Sequence, residues 1–153
     1  MTQRPLHGTT VVVTRAKTQA SVLGDKLEQH GATTLGVATI EIVPPLDGGA
    51  ALAEAIERVT DYAQVVVASP NGARVLGAAA AATNPDRLPP VACVGPSTAA
   101  KLQGSPWRVN VVPDRAVAEG LVEAMPPAGP DDRLLLVQAE IAREVLYEGL
   151  ASN

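Results

Sequence analysis

The chain has 153 residues, 46% of them AVILMFWYC and 18% charged, which is enough for about one globular domain and too apolar for a disordered segment. Lys and Arg number 12 against 16 Asp and Glu, a net charge of −4, so the basic surplus that binds a nucleic-acid backbone is missing. One cysteine excludes an internal disulfide or thiolate cluster, two histidines are too few for an ordinary zinc site, and no run nears the roughly 18 apolar residues of a membrane span.

Residues 1–8 lack the apolar core of a signal peptide, and a cytoplasmic protein is expected. Short apolar, β-branched runs then recur, each followed by a turn and an Ala/Leu-rich stretch at helical spacing. The first strand is predicted at 10–14, and its helix carries Ala20, Leu23, Leu27 and His30 before Gly31, a C′ glycine. A second strand is predicted at 35–43. Pro44-Pro45-Leu46-Asp47-Gly48-Gly49 then breaks the pattern and marks a domain crossing.

Beyond it come a helix at 50–59 with Leu52, Ala55, Ile56 and Val59 on one face, a strand at 64–68 and a helix at 71–82. A proline-rich loop at 83–90, a strand at 91–94, a helix at 97–102 and a strand at 109–112 follow. The last elements are a helix at 116–125, a strand at 134–137 and a helix at 141–150. Near-continuous apolar strands argue for a parallel sheet buried on both faces, so the predicted class is α/β, doubly wound and flavodoxin-like. One domain is nearly complete in residues 44–153, lacking its final strand, and residues 1–43 supply the first βαβ piece of another. Cys93 reads as inert core, Trp107 as a packing residue at a strand's rim, Tyr62 and Tyr147 as structural, and His7 and His30 as surface residues.

In an open parallel sheet ligands bind outside the carboxyl ends of the strands, where helix N-termini also point unpaired N–H groups. The turns there read Thr14-Arg15-Ala16-Lys17-Thr18, Ser69-Pro70-Asn71-Gly72, Gly95-Pro96-Ser97-Thr98, Pro113-Asp114-Arg115 and Gln138-Ala139-Glu140. Hydroxyls, amides and backbone N–H groups, with Arg15, Lys17 and Arg115 for charge, suit several carboxylates or phosphates and little acid–base work. Singly, Ser69, Asn71, Ser97 and Thr98 are ordinary helix caps; their repetition at one edge is what points to a ligand. No G-x-x-x-x-G-K-[ST] or G-x-G-x-x-G turn is present, no acidic pocket ends the strands, and no histidine neighbours Ser69 or Ser97 for a triad.

The stretches Val11-Val12-Val13-Thr14-Arg15-Ala16, Val65-Val66-Val67-Ala68-Ser69-Pro70-Asn71-Gly72, Val94-Gly95-Pro96-Ser97-Thr98-Ala99 and Ala118-Glu119-Gly120-Leu121 occur in that order. With Ile141-Ala142-Arg143, Leu146 and Leu150, they resemble uroporphyrinogen-III synthase over about residues 6–150. The resemblance implies two doubly wound domains with an active site between them, and a cofactor-free, metal-free lyase of heme, siroheme and cobalamin biosynthesis. Its substrate would be hydroxymethylbilane, a linear tetrapyrrole with eight carboxylates, closed to uroporphyrinogen III and water with inversion of the last pyrrole ring. By motif, Thr98 would be the catalytic hydrogen-bond donor, and Arg15, Ser69, Pro70, Asn71, Gly72, Ser97 and Ala99 would hold the substrate.

Charge balance and the lack of a long apolar run lead us to expect no nucleic-acid or membrane partner; the resemblance further implies transient contact with hydroxymethylbilane synthase and a monomeric full-length protein. Ala38 stands where many members have proline, and Gln138-Ala139-Glu140 replaces a more usual Arg-Gly or Gln-Gly turn. The family chain continues with a strand bearing a tyrosine assigned to the leaving-group step, a position that Tyr62 and Tyr147 do not match. The expectation is therefore an N-terminal part of such an enzyme, prone to self-association through open sheet edges. The alternative is a non-catalytic α/β module that binds anions or regulates.

Overall fold

The computed structural model describes residues 4–79, 88–142 and 144–152, and the chain forms two compact units, Met1–Pro44 and Pro45–Asn153. The first unit is a βαβ element of strand β1 (Thr10–Val13), helix α1 (Lys17–Gln29) and strand β2 (Thr33–Gly36), with the strands parallel from Thr10 opposite Thr33 to Val13 opposite Gly36. Gly31 ends α1 as predicted. At φ 96° its N–H reaches the Glu28 carbonyl at 2.9 Å, and the Ala32 N–H reaches the Leu27 carbonyl at 3.1 Å. These two bonds satisfy carbonyls that the helix end would leave open, in a conformation that favours glycine.

The strand expected at 35–43 is corrected: pairing starts at Thr33 and stops at Gly36. Its last rung is the Val37 N–H to the Val13 carbonyl at 2.9 Å, after which β1 has turned away and only a bond from Thr39 Oγ1 to the Thr14 carbonyl follows. Val37, Ile40, Ile42 and Val43, whose apolar character suggested a longer strand, are 41 to 67% exposed. A β pattern without a partner strand makes no ladder.

The second unit begins with helix α2 (Ala50–Glu57) and a short 3-10 turn, Val59–Asp61. Asp47 caps α2, its Oδ1 accepting the Gly49 N–H and its Oδ2 the Ala51 N–H, both at 2.8 Å. Those bonds hold the carboxyl below its ordinary value of 3.8. The contribution to stability is therefore full above that value and is lost as pH falls below it, through the folded-state value. Asp47→Asn should flatten this part of the acid limb, read as denaturant midpoints between about pH 6 and about pH 2; an unchanged acid limb would count against the cap.

Four parallel strands follow: β3 (Gln64–Val67), β4 (Val91–Cys93), β5 (Val109–Val111) and β6 (Leu134–Val137), in the spatial order β5-β4-β3-β6. Helix α3 (Pro70–Ala79) follows β3, α4 (Pro96–Ala99) and a 3-10 turn (Ala100–Leu102) follow β4, α5 (Ala118–Ala124) follows β5, and α6 (Val145–Ala151) follows β6. Because strand residues alternate between faces, Val65, Val67, Val91 and Cys93 pack on one side with Ile56, Val59, Ala73, Leu76, Leu102 and Trp107. Val66 and Ala92 pack on the other with Leu121, Met125 and Leu146. Both faces are covered, so the fold is a doubly wound α/β sheet.

Trp107 is core rather than rim: it is 5% exposed, and its Nε1 donates to the Leu76 carbonyl at 3.1 Å. Tyr62 is half-buried with the Arg133 guanidinium 5.2 Å from its ring centre, but Tyr147, also expected to be structural, is 64% exposed. Helix α6 starts at Val145 rather than at 141. Its packed face begins at Leu146 and its Gly149 admits Val122, to which an added Cβ would come within 2.7 Å, whereas Ile141 is 96% exposed. The expected helical residues 80–82 and loop residues 83–87 lie outside the described residues.

Candidate functional site

All four strands of the second unit are parallel, so their carboxyl ends share one edge. Val67 lies opposite both Cys93 and Val137, which puts Ser69, Gly95 and Ala139 each two residues beyond a paired position. The turns expected to bind a ligand therefore stand side by side. From β3 the chain runs outward to β4 and β5 and returns to the far side of β3 for β6, and α3 and α6 leave towards opposite faces. The crevice of a doubly wound sheet opens at such a reversal, here between the β3 and β6 turns.

Ser69 caps α3. Its Oγ accepts the Gly72 N–H at 3.1 Å and its carbonyl the Ala73 N–H at 3.0 Å, while Pro70 opens the helix, where its missing N–H costs nothing. Pro70 and Asn71 are half-buried. A Cβ on Gly72 would stand 3.4 Å from both Cγ1 and the carbonyl oxygen of Val137, so this glycine lets the α3 turn close against the end of β6. The S-P-N-G tetrapeptide signalled the turn, but nothing in it signalled that neighbour.

In the β4 turn Gly95 is extended, and an added Cβ would lie 2.7 Å from Ala116 Cβ, so the turns after β4 and β5 touch. The N–H groups of Thr98 and Ala99 both reach the Gly95 carbonyl, at 3.0 and 3.1 Å. Ser97 is exposed and Ala99 half-buried, whereas Thr98 is fully buried. Thr98 Oγ1 has no hydrogen-bond partner, and it is the one buried side-chain polar atom in that condition among the described residues. A buried hydroxyl without a partner forgoes about 1 to 3 kcal/mol and asks for an explanation.

Charge is distributed differently from the inventory of the sequence. Arg15 is exposed in the β1–α1 turn of the first unit. Arg115, counted as cleft charge, is instead paired with Glu123, its Nη2 lying 2.7 and 2.6 Å from the two carboxylate oxygens. That pairing raises the Arg115 pKa further above its ordinary value. Cys93 is inert: burial pushes its thiol up to about 11, far from the thiolate form that reacts. Gln64 escaped sequence reasoning; it is buried at the amino edge and its Nε2 donates to Asn110 Oδ1 at 2.8 Å.

A cleft of about 130 Å³ in the second unit, lined by Gln64, Met125, Pro127, Asp132, Leu134 and Leu150 among others, lies at the amino ends of β3 and β6. It is at the opposite end of the sheet from the convergent turns and carries none of their chemistry. Among the described residues no group of three or more His, Cys, Asp or Glu could hold a metal ion, and no helix is long and apolar enough to cross a membrane.

A family model described as Uroporphyrinogen-III synthase HemD matches residues 21–153. A Synechococcus elongatus protein named uroporphyrinogen-III synthase is 32% identical over 157 residues, covering 100% of this chain and 59% of the relative. A Ruminiclostridium josui protein named porphyrin biosynthesis protein HemD is 28% identical over 159 residues, covering 99% of this chain and 31% of the relative. The chain thus spans less than two thirds of the length of either. With a family match that extends from within α1 through the β3 and β4 turns to α6, the chain belongs to the uroporphyrinogen-III synthase family.

Proposed function

We propose that this chain serves the closure of hydroxymethylbilane to uroporphyrinogen III and water, with inversion of the last pyrrole ring, in heme, siroheme and cobalamin biosynthesis. Residues 1–43 are read as belonging to one domain and 44–153 to a second. The observation that carries the reading is Thr98: a hydroxyl held without a partner in the turn beside Ser69–Gly72, at the edge where this fold class binds ligands. Substrate would supply the missing partner once the β4 turn shifts to uncover the hydroxyl, which that turn buries fully as it stands.

In this reading the Ser69 and Ser97 hydroxyls, the Asn71 side chain and the Ser97 N–H hold propionate and acetate groups, Pro70, Gly72 and Ala99 shape the turns that present them, and Arg15 offers a guanidinium on the first unit. The substrate loses its hydroxyl to give an azafulvene, the last ring attacks through its substituted carbon, and a spiro intermediate rearranges. The protein's task is to hold both ends together and to stabilise the departing hydroxyl and developing charge, with Thr98 donating a hydrogen bond. A cytoplasmic location, a monomeric full-length protein, self-association of this length of chain and passing contact with hydroxymethylbilane synthase belong to the same reading.

The test supplies freshly made hydroxymethylbilane to the purified chain, oxidises the products and separates porphyrin isomers. Type III above the no-protein control is expected; type I alone would overturn the catalytic reading, and retained tetrapyrrole binding would then favour a non-catalytic ligand module. Thr98→Val separates the hydroxyl's two roles. Because the hydroxyl is already unpaired, the variant should be stabilised by about 1 kcal/mol while type III formation falls. Loss of both stability and product would reduce Thr98 to a packing residue.

A further inference from the structure

We propose that Arg115 is a reserve carboxylate-binding residue of this same edge, held folded back by Glu123 until a ligand carboxylate displaces it; the proposal rests on the reading of the edge as a polycarboxylate site. Arg115 lies in the turn between β5 and α5, which touches the β4 turn where Gly95 approaches Ala116. Its backbone is fixed. The Arg115 carbonyl accepts the Val117 N–H at 2.8 Å, and Gly120, buried beneath it, leaves room for that oxygen where a Cβ would come within 2.3 Å.

The side chain is held far more loosely. Its exposure is 62% and that of Glu123 is 67%, and an ion pair so open to water is weak and screened by salt. Since α5 follows a strand that ends at the carboxyl edge, its last turn, which carries Glu123, lies away from that edge. Pairing draws the guanidinium along the helix, with Glu119 adding to the attraction. Release would leave Glu123 in solvent and no buried group unpaired, so exchanging one carboxylate for another carries little desolvation cost.

Cations are scarce at this edge. The sequence gives the turns after β3, β4, β5 and β6 two arginines, Arg115 and Arg143, against Asp114, Glu140 and Glu144. A ligand with many carboxylates, once anchored by neighbouring turns, competes for Arg115 at a high effective concentration. A guanidinium fork is suited to receive it.

The experiment measures equilibrium binding of the octacarboxylate uroporphyrin III to the whole chain and to Glu123→Gln, Arg115→Gln and the double variant, at low and raised salt. Glu123→Gln should bind about three- to tenfold more tightly, Arg115→Gln more weakly by a similar factor, and the double variant should match Arg115→Gln. If the unaltered chain binds and Glu123→Gln gains nothing, or the double variant keeps the gain, the reserve role is wrong while the polycarboxylate reading stands. If no protein binds uroporphyrin III, both fall. Because removing Glu123 is expected to strengthen binding, a folding defect cannot imitate the predicted result.

Discussion

Replacing Trp107 by alanine is expected to destabilise the second unit by about 3 to 5 kcal/mol, the range for removing a large buried aromatic. The indole lies in the larger of the sheet's two apolar layers, beside Ile56, Leu76, Leu102 and the inward faces of β3 and β4. Its ring fills volume that those branched aliphatics cannot close over, and its Nε1 satisfies the Leu76 carbonyl in α3. Trp107→Phe should cost less, losing mainly the hydrogen bond and part of the ring. Urea unfolding followed by far-UV circular dichroism measures both, and a midpoint for Trp107→Ala equal to that of the parent would refute the assignment of this residue to the core.

Gly120→Ala makes a sharper case because two principles disagree in sign. On helix propensity alone the change should stabilise α5 by up to about 1 kcal/mol. Yet the new methyl would sit 2.3 Å from the Arg115 carbonyl oxygen, which the Val117 N–H holds in place, so backbone rather than a flexible side chain must yield. Overpacking of this kind costs about 1 to 3 kcal/mol, and the net expectation is a clear loss of thermal stability. A gain in melting temperature would show that the turn before α5 relaxes freely.

The second unit's strands were legible because a doubly buried parallel strand leaves a distinctive mark: Val65-Val66-Val67 and Val91-Ala92-Cys93 are apolar at every position. The segments predicted at 64–68, 91–94 and 109–112 overshoot by one residue, since apolar character continues past the last rung. Where pairing rather than composition decides, the sequence was mute: 38–43 looks like a strand but pairs with no strand among the described residues, and α6 waits for the position at which Gly149 fits Val122. The ligand turns were recognisable from Ser69, Pro70, Gly95 and Thr98. Their relations were not, because the burial of the Thr98 hydroxyl, the seating of Gly72 on β6 and the capture of Arg115 by Glu123 depend on chain segments distant in sequence or on side-chain geometry.

The order β5-β4-β3-β6 also shapes what happens while the chain is being made. β3 finds β4 soon, Val65 lying opposite Val91, but Gln64 must wait for Leu134, 70 residues further on. At a synthesis rate of roughly 5 to 20 residues per second, one hydrogen-bonding edge of a central strand with three consecutive valines stays open on the ribosome for about 4 to 14 s. Nascent chains are thus most exposed to mispairing, and most in need of a chaperone, in the interval between emergence of β3 and arrival of β6.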